Sequence, residues 1–221
     1  MKKAIIFDMD GTLVDSEPAI TFAAMEVIRR LGYEVKAEEF KPFTGMGDDL
    51  FIGGVLESHG GTYHTAYKEE AYRIYGEKAN DIVTVYPWSK VTLARLHDMG
   101  YRLAVASASD LTKVSCNLAC IGVDLSIFDA IVTGSDVTRK KPAPDIFLKA
   151  AEKIGVEPKN CIVAEDALSG VQAAKAAGMT AIAVTTSFPA EELAKAGADR
   201  ITDDLAILPA FALNVLGDPR L

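Results

Sequence analysis

The chain has 221 residues, enough for one large domain or a domain carrying an insert. Its composition, 49% hydrophobic and 24% charged, is that of an ordinary globular protein without low-complexity tracts or repeats. A formal charge of −8 argues against non-specific binding to nucleic acid or to an anionic membrane, so an anionic ligand would need a local lysine or a metal ion.

In chain order, the first predicted element is the strand "AIIF" (4–7), which ends in two carboxylates, Asp8 and Asp10, and then Gly11. Its four apolar residues after "MKK" are too few for a signal peptide, and no stretch approaches the length of a membrane span. Residues 15–84 carry helical patterns and no strand signal. "AITFAAMEVIRRLG" puts Ile20, Ala23, Ala24, Val27, Ile28 and Leu31 on one face. The Gly-rich turn "FTGMGDD" follows, then "YHTAYKEEAYRIYGEK". This reads as a helical cap inserted after the first strand, with 1–14 and 85–221 forming the core.

Beyond the insert, strands "RLAVA" (102–106), "AIVT" (130–133), "CIVA" (161–164) and "AIAV" (181–184) are mostly separated by helical patterns, two of them closed by Gly100 and Gly178. Uniformly apolar strands alternating with helices predict an α/β fold, a doubly wound parallel sheet with a Rossmann-like core. Cys116 and Cys120 fall four apart on one predicted helix face, where a metal would lack two further ligands. With Cys161 they form no disulfide framework, so a reducing, cytoplasmic setting is expected. His59, His64 and His97 show no metal spacing, and Tyr63, Tyr67, Tyr72 and Tyr75 read as cap packing.

Ligands of open parallel sheets bind beyond the carboxyl ends of the strands. There the chain delivers Asp8 and Asp10, then Ser107, Ala108 and Ser109, then Glu165 and Asp166, while "RKKPAPD" sets Lys141 before Pro142. Clustered carboxylates raise one another's pKa unless a cation neutralises them. A hard divalent ion, Mg²⁺ by preference, fits Asp8, Asp166 and the backbone carbonyl of Asp10. Glu165 either joins them or holds a metal-bound water. Asp8 is then the expected nucleophile toward phosphorus and Asp10 the acid/base. Ser107, the Ala108 amide and the following helix N-terminus would hold phosphoryl oxygens, with Lys141 as counter-charge. Ser109 or Asp110 could cap that helix.

"DMDGTLVDSE", "VASAS", "KKPAPD" and "VAEDALSGVQAA" resemble, in order, the four motifs of the haloacid dehalogenase superfamily of phosphatases. The similarity spans essentially the whole chain, and the insert is similar to the small cap of the β-phosphoglucomutase and phosphoglycolate phosphatase branch. The resemblance implies a nucleophile at Asp8, an acid/base at Asp10, phosphate contacts from Ser107 and Lys141, and metal acids at Glu165 and Asp166. In mutases of this branch a basic cap loop clamps a second phosphate; here Thr44, Gly45, Met46, Gly47 and Asp48 fill that loop, and Ile20 replaces a histidine. These five are the candidate specificity residues, with Asp48 and Asp49 alternatively a helix start. The cap phrase "FKPFTGMGDDLFIGGV" is also similar to the phosphatase-like domain of a plant chloroplast protein. Trp88 stands where many relatives have glycine, either shaping the pocket or filling a gap.

The expected function is a Mg²⁺-dependent phosphatase acting on a small phosphorylated metabolite, as a monomer or small homo-oligomer, with a sugar phosphomutase as the alternative. A metal-independent dehalogenase would leave Asp10 and the Glu165–Asp166 pair without a purpose. A phosphorylatable switch would have no use for a cap.

Overall fold

Strand β1 (Ala4–Phe7) is apolar throughout, and its pleat sends Ile5 and Phe7 to one face and Ala4 and Ile6 to the other. The computed structural model describes residues 2–44 and 47–221; Gly45 and Met46, two of the candidate specificity residues, lie outside them. From β1 the chain passes through β2 (Val14–Asp15) into helices α1 (Glu17–Arg30), α2 (Asp48–Ser58) and α3 (Thr65–Ile82), and returns through β3 (Thr84–Val85). Helix α4 (Ser89–Met99), β4 (Arg102–Ala106), α5 (Leu111–Ile121), β5 (Ala130–Val132), α6 (Asp145–Ile154) and β6 (Cys161–Glu165) follow. The chain ends with α7 (Leu168–Ala176), β7 (Thr180–Val184), α8 (Ala190–Lys195), β8 (Arg200–Thr202) and α9 (Leu208–Leu216).

The six-stranded sheet has the order β5-β4-β1-β6-β7-β8, with every pairing parallel. The connections run outward in one direction from β1 and then in the other, which makes the ends of β1 and β6 the switch point where ligands bind. Helices α6 and α7 cover one face through Phe147, Ile146 and Val171, and α4, α5 and α9 cover the other through Leu93, Val114 and Leu208. The doubly wound parallel sheet is therefore as expected.

Helices α1, α2 and α3 gather around a separate apolar cluster that includes Ile28, Phe40, Ile52 and Tyr75. Phe40 and Phe51 pack with ring centroids 5.0 Å apart. Each such buried side chain contributes roughly 2 kcal/mol, and Cys116 and Cys120 of α5 pack against the same cluster.

Three details differ from expectation. The pair β2 and β3, antiparallel through Val14–Val85 and Asp15–Thr84, closes the base of the helical segment, where two residues are too short to show a period. The edge strand β8 has only three residues, and these too carry no apolar run. Leu31 is the C-cap of α1 and is exposed, because the helix has already ended there.

Candidate active site

Asp8 donates its backbone N–H to the Ala164 carbonyl at 2.9 Å, extending the β1–β6 pairing by one residue and holding Asp8 beside Glu165 and Asp166. The chain then turns at Gly11, whose φ is +85° and where a Cβ would fall 2.1 Å from Asp166 Oδ2. Only glycine meets both demands.

Lys141 Nζ lies 2.5 Å from Asp8 Oδ1 and 2.6 Å from Glu165 Oε1, with all three side chains buried. The other Glu165 oxygen accepts the amides of Asp166 and Ala167 at 2.8 and 2.6 Å, at the start of α7. Helix α7 packs so closely that a Cβ on Gly170 would sit 1.7 Å from Glu165 Oε1. Asp166 accepts hydroxyl hydrogen bonds from Thr12 at 3.0 Å and from Ser187, and among the described residues no lysine or arginine pairs with it.

Three acids thus share one lysine. Burial pushes Asp8 up to about 7 against the pull of Lys141, with Glu165 and Asp10 adding to the rise. Asp166 is raised well above the usual carboxylate range by burial and by Glu165 and Asp8. Burial disfavours the Lys141 ammonium, but Asp8 and Glu165 outweigh it and hold the charge. One oxygen of each acid lies within 4.8 Å of the others. An oxygen-only, net-negative cluster of this size suits a hard divalent cation. Both oxygens of Glu165 and of Asp166 already accept hydrogen bonds, but those on Glu165 come from an ammonium and two fixed backbone amides and those on Asp166 from two rotatable hydroxyls, so Asp8 and Asp166 are the freer ligands.

The Asp10 carboxylate faces a different set of groups. Its Oδ2 accepts from Ser109 at 2.9 Å and lies 3.4 Å from the Ser107 hydroxyl. Its Oδ1 accepts from Asn117 at 3.0 Å and from Ser16, and lies 3.3 Å from Lys113 Nζ. Burial works to raise its pKa, but Lys113 and the Ser16 and Ser109 hydroxyls overcome it and leave Asp10 below its usual value. Ser107 also accepts the Ser109 amide at 3.1 Å. Half-buried Ala108 completes this loop, its carbonyl so close to Gly134 that a Cβ there would fall 2.1 Å away.

Lys113 and Asn117 carry no expectation from the sequence. The signal was present, since Asp110, Lys113 and Asn117 form a polar stripe at helical spacing on a helix whose other face is Val114, Leu118 and Ile121. From the helical segment between β2 and β3, Asp48 in the first turn of α2 accepts the Tyr72 hydroxyl at 2.6 Å and lies 3.8 Å from Lys113 Nζ. Asp49 accepts from Tyr63 at 2.6 Å and pairs with Lys68, which also reaches Asp110 at 3.0 Å. Asp48 and Asp49 therefore start a helix, and Asp48 also faces the cleft.

Tyr72 and Tyr75 do more than pack: the Tyr75 hydroxyl, from α3, donates to Asn117. Thr44 is exposed and donates to Glu17 at 3.2 Å. Gly47 caps α2 with φ +90°, and Ile20 is buried in the helical cluster. Trp88 stacks on Tyr86 at 4.7 Å and donates its ring N–H to the Thr12 carbonyl at 3.1 Å, which places it beneath the Asp8–Thr12 turn. The cysteines are free, and the metal-type cluster among the described residues is Asp8–Glu165–Asp166.

A family model for haloacid dehalogenase-like hydrolases matches residues 5–184. The chain is 41% identical over 206 residues to Protein SUPPRESSOR OF QUENCHING 1, chloroplastic, of Arabidopsis thaliana, covering 91% of this chain but only 20% of that protein. It is 32% identical to fructose-1-phosphate phosphatase YqaB of Escherichia coli K12, covering 81% of this chain and 95% of the relative. The crystal structure of a predicted phosphoglycolate phosphatase from Haemophilus somnus superposes with a TM-score of 0.83 at 25% identity, over 95% of this chain and 97% of that one. With the four motifs converging at one sheet edge, this chain belongs to the haloacid dehalogenase-like hydrolases and is a phosphoric monoester hydrolase.

Proposed function

We propose that the protein is a Mg²⁺-dependent phosphatase of a small phosphorylated metabolite, of the sugar-phosphate or phosphoglycolate type, working through an aspartyl-phosphate. The observation that carries this reading is the buried Asp8, 2.5 Å from Lys141, at the sheet edge where, among the described residues, Asp166 lacks a cationic partner. An oxygen of Asp8 attacks phosphorus and the phosphorus–ester oxygen bond breaks. The anionic ester beside Asp10 favours its protonated form against the pull of Lys113; Asp10 gives that proton to the departing alcohol and takes one back from the water that splits the aspartyl-phosphate into phosphate and free Asp8. Asp8, Asp166 and the Asp10 carbonyl would hold Mg²⁺, with Glu165 beside them. When bound, the ion supplies charge neutralisation for the incoming phosphoryl group. Lys141 orients Asp8, and Ser107 with the Ala108 amide holds phosphoryl oxygens.

Residues 15–84 act as a cap, hinged at β2 and β3, that excludes water while the ester reacts. The mutase alternative needs cations for a second phosphate. Thr44 instead pairs outward with Glu17, and Asp48 is an anion beside Lys113, both of which favour water as final acceptor. A reducing cytoplasm, and action as a monomer or small homo-oligomer on a free metabolite, belong to the same reading, with free cysteines in its support.

The test is phosphate release from a panel of hexose, pentose and polyol monophosphates, phosphoglycolate and p-nitrophenyl phosphate, with Mg²⁺ or EDTA, beside Asp8→Asn. Mg²⁺-dependent release that disappears in the variant is expected. Release unaffected by Asp8→Asn would overturn the mechanism, and bisphosphate-dependent isomerisation without net release would favour the mutase.

A further inference from the structure

Lys113 is an α5 residue, almost fully buried, whose ammonium sits between a core acid and a cap acid: 3.3 Å from Asp10 Oδ1 and 3.8 Å from Asp48 Oδ1. Its Nζ also lies 6.0 Å from the centre of the Tyr75 ring, on α3. Asn117, one turn further along α5, donates to the same Asp10 oxygen and accepts from the Tyr75 hydroxyl. Both α5 groups that hold Asp10 are thus held in turn by the cap, Lys113 by α2 and Asn117 by α3.

We propose that Lys113 is a positioning residue of the phosphatase reaction: it fixes the Asp10 carboxylate on the leaving-group side and, through Asp48, makes that placement depend on the docked cap. This rests on Asp10 being the acid/base. A buried ammonium is costly unless paired, and breaking one side of such a pair exposes that cost. A lysine stem is flexible, and only its partners fix where the charge sits. With Asp48 in place the ammonium is pinned over Asp10. With the cap lifted, water enters the cleft and nothing from the cap restrains Lys113. The partly exposed Lys68–Asp110 contact, farther out on the same seam, adds little because surface pairs are screened.

The experiment compares an alkyl ester (a sugar monophosphate turned over by the wild type) with p-nitrophenyl phosphate in wild type, Lys113→Met, Lys113→Arg, Asp48→Asn and the Lys113→Met/Asp48→Asn double variant. The alkoxide needs a proton to leave, whereas the nitrophenolate departs without one. Misplacing the acid therefore lowers kcat/KM, which reports formation of the aspartyl-phosphate and not its later hydrolysis, selectively for the alkyl ester, by about tenfold relative to the aryl ester in Lys113→Met, a part of the full acid/base contribution. Asp48→Asn should shift the ratio the same way, the double variant should be no worse than Lys113→Met, and Lys113→Arg should restore it. A general loss of structure would lower both esters together.

A second readout needs no turnover. Cys116 and Cys120 lie in the α3–α5 seam: a Cβ on Gly76 would be 3.7 Å from Cys116 Sγ, and Cys120 Sγ is 3.4 Å from Asn80 Oδ1. Their alkylation should run several-fold faster in Lys113→Met and in Asp48→Asn, with buried Cys161 unchanged. An unchanged ester ratio in Lys113→Met overturns the positioning role, and wild-type alkylation rates in both single variants overturn the cap link. Failure of the wild type to hydrolyse either ester would instead strike the phosphatase mechanism, while alkylation still decides the cap link.

Discussion

Two buried lysines organise this cleft, and each stands between two carboxylates. Lys141 bridges Asp8 and Glu165 at 2.5 and 2.6 Å, all within the sheet edge of the core. Lys113 bridges Asp10 and Asp48 at 3.3 and 3.8 Å, across the seam between core and cap. Around Lys141 a third acid, Asp166, leaves negative charge in excess, and burial, with the neighbouring carboxylates adding to it, raises Asp8 and Asp166. Around Lys113 the acids are balanced by hydroxyl and amide donors, and Asp10 is lowered instead. Two environments so close together set the carboxylates apart, one group an acidic cluster that could hold a cation and the other held by a lysine, hydroxyls and an amide. The Lys141 group lies wholly at the sheet edge, whereas the Lys113 group draws Asp48 from α2.

The largest effect that would sharpen this contrast is on Asp10. Asp10→Asn removes the proton carrier but leaves Asp8, Lys141 and Asp166 in place, so alkyl monoesters should lose about 10²–10⁴ in kcat. p-Nitrophenyl phosphate should lose less in the formation of the aspartyl-phosphate, seen as a burst of nitrophenolate followed by slow hydrolysis. Equal losses without a burst would mean that the two carboxylates do not divide the work as the geometry indicates.

Asp166→Asn tests the anionic half. Asn keeps the size and an acceptor for Thr12, and it removes the acid that lacks a cation, so the metal-free protein should gain about 1–2 kcal/mol, as active sites often yield on neutralisation. The stabilisation of the wild type by millimolar Mg²⁺ should disappear in the variant. The pH dependence has a definite sign. Asp8, pushed up to about 7, keeps in the folded metal-free protein a proton that the unfolded chain releases near pH 4. The folded form binds more protons in that window, so stability attributable to this group falls as pH rises from about 4 to about 7. Mg²⁺ should remove that slope, giving a larger thermal shift at pH 7 than at pH 5 in differential scanning calorimetry. A shift that is the same at both pH values would break the assignment.

The same division explains what the sequence made legible. Asp8, Asp10, Ser107, Glu165 and Asp166 end or follow a strand and Lys141 opens a Lys-Pro step, and a parallel sheet must bring strand ends to one edge; their convergence is legible in the sequence alone. Lys113 and Asn117 show in the sequence only as a polar stripe at helical spacing; that the stripe meets Asp10 depends on how α3 lies across α5, a tertiary relation. Ser109 was expected only as a possible helix cap, yet its hydroxyl holds Asp10. Asp48 was read against a clamp that would need a cation at that position; its partner turns out to be a core lysine almost seventy residues away. The short strands β2, β3 and β8 escaped because two or three residues cannot express a period.

Trp88 offers the smallest effect and the finest test of where the anionic half ends. Its ring donates to the Thr12 carbonyl, and the Thr12 hydroxyl donates to Asp166, so the indole supports the metal-side acids at one remove. Trp88→Phe keeps the stack on Tyr86 but deletes that donor. The lost hydrogen bond should cost about 1 kcal/mol, a fall of about 2–4 °C in Tm for a chain of this size. The alkyl-to-aryl ester ratio should stay at the wild-type value, because Trp88 touches neither Asp10 nor Lys113. A change in apparent Mg²⁺ affinity beside an unchanged ratio would extend the anionic half to include Trp88. A change in the ratio instead would mean that the turn between Asp8 and Thr12 transmits strain to Asp10, and the two halves would not be as separate as their charge balance suggests.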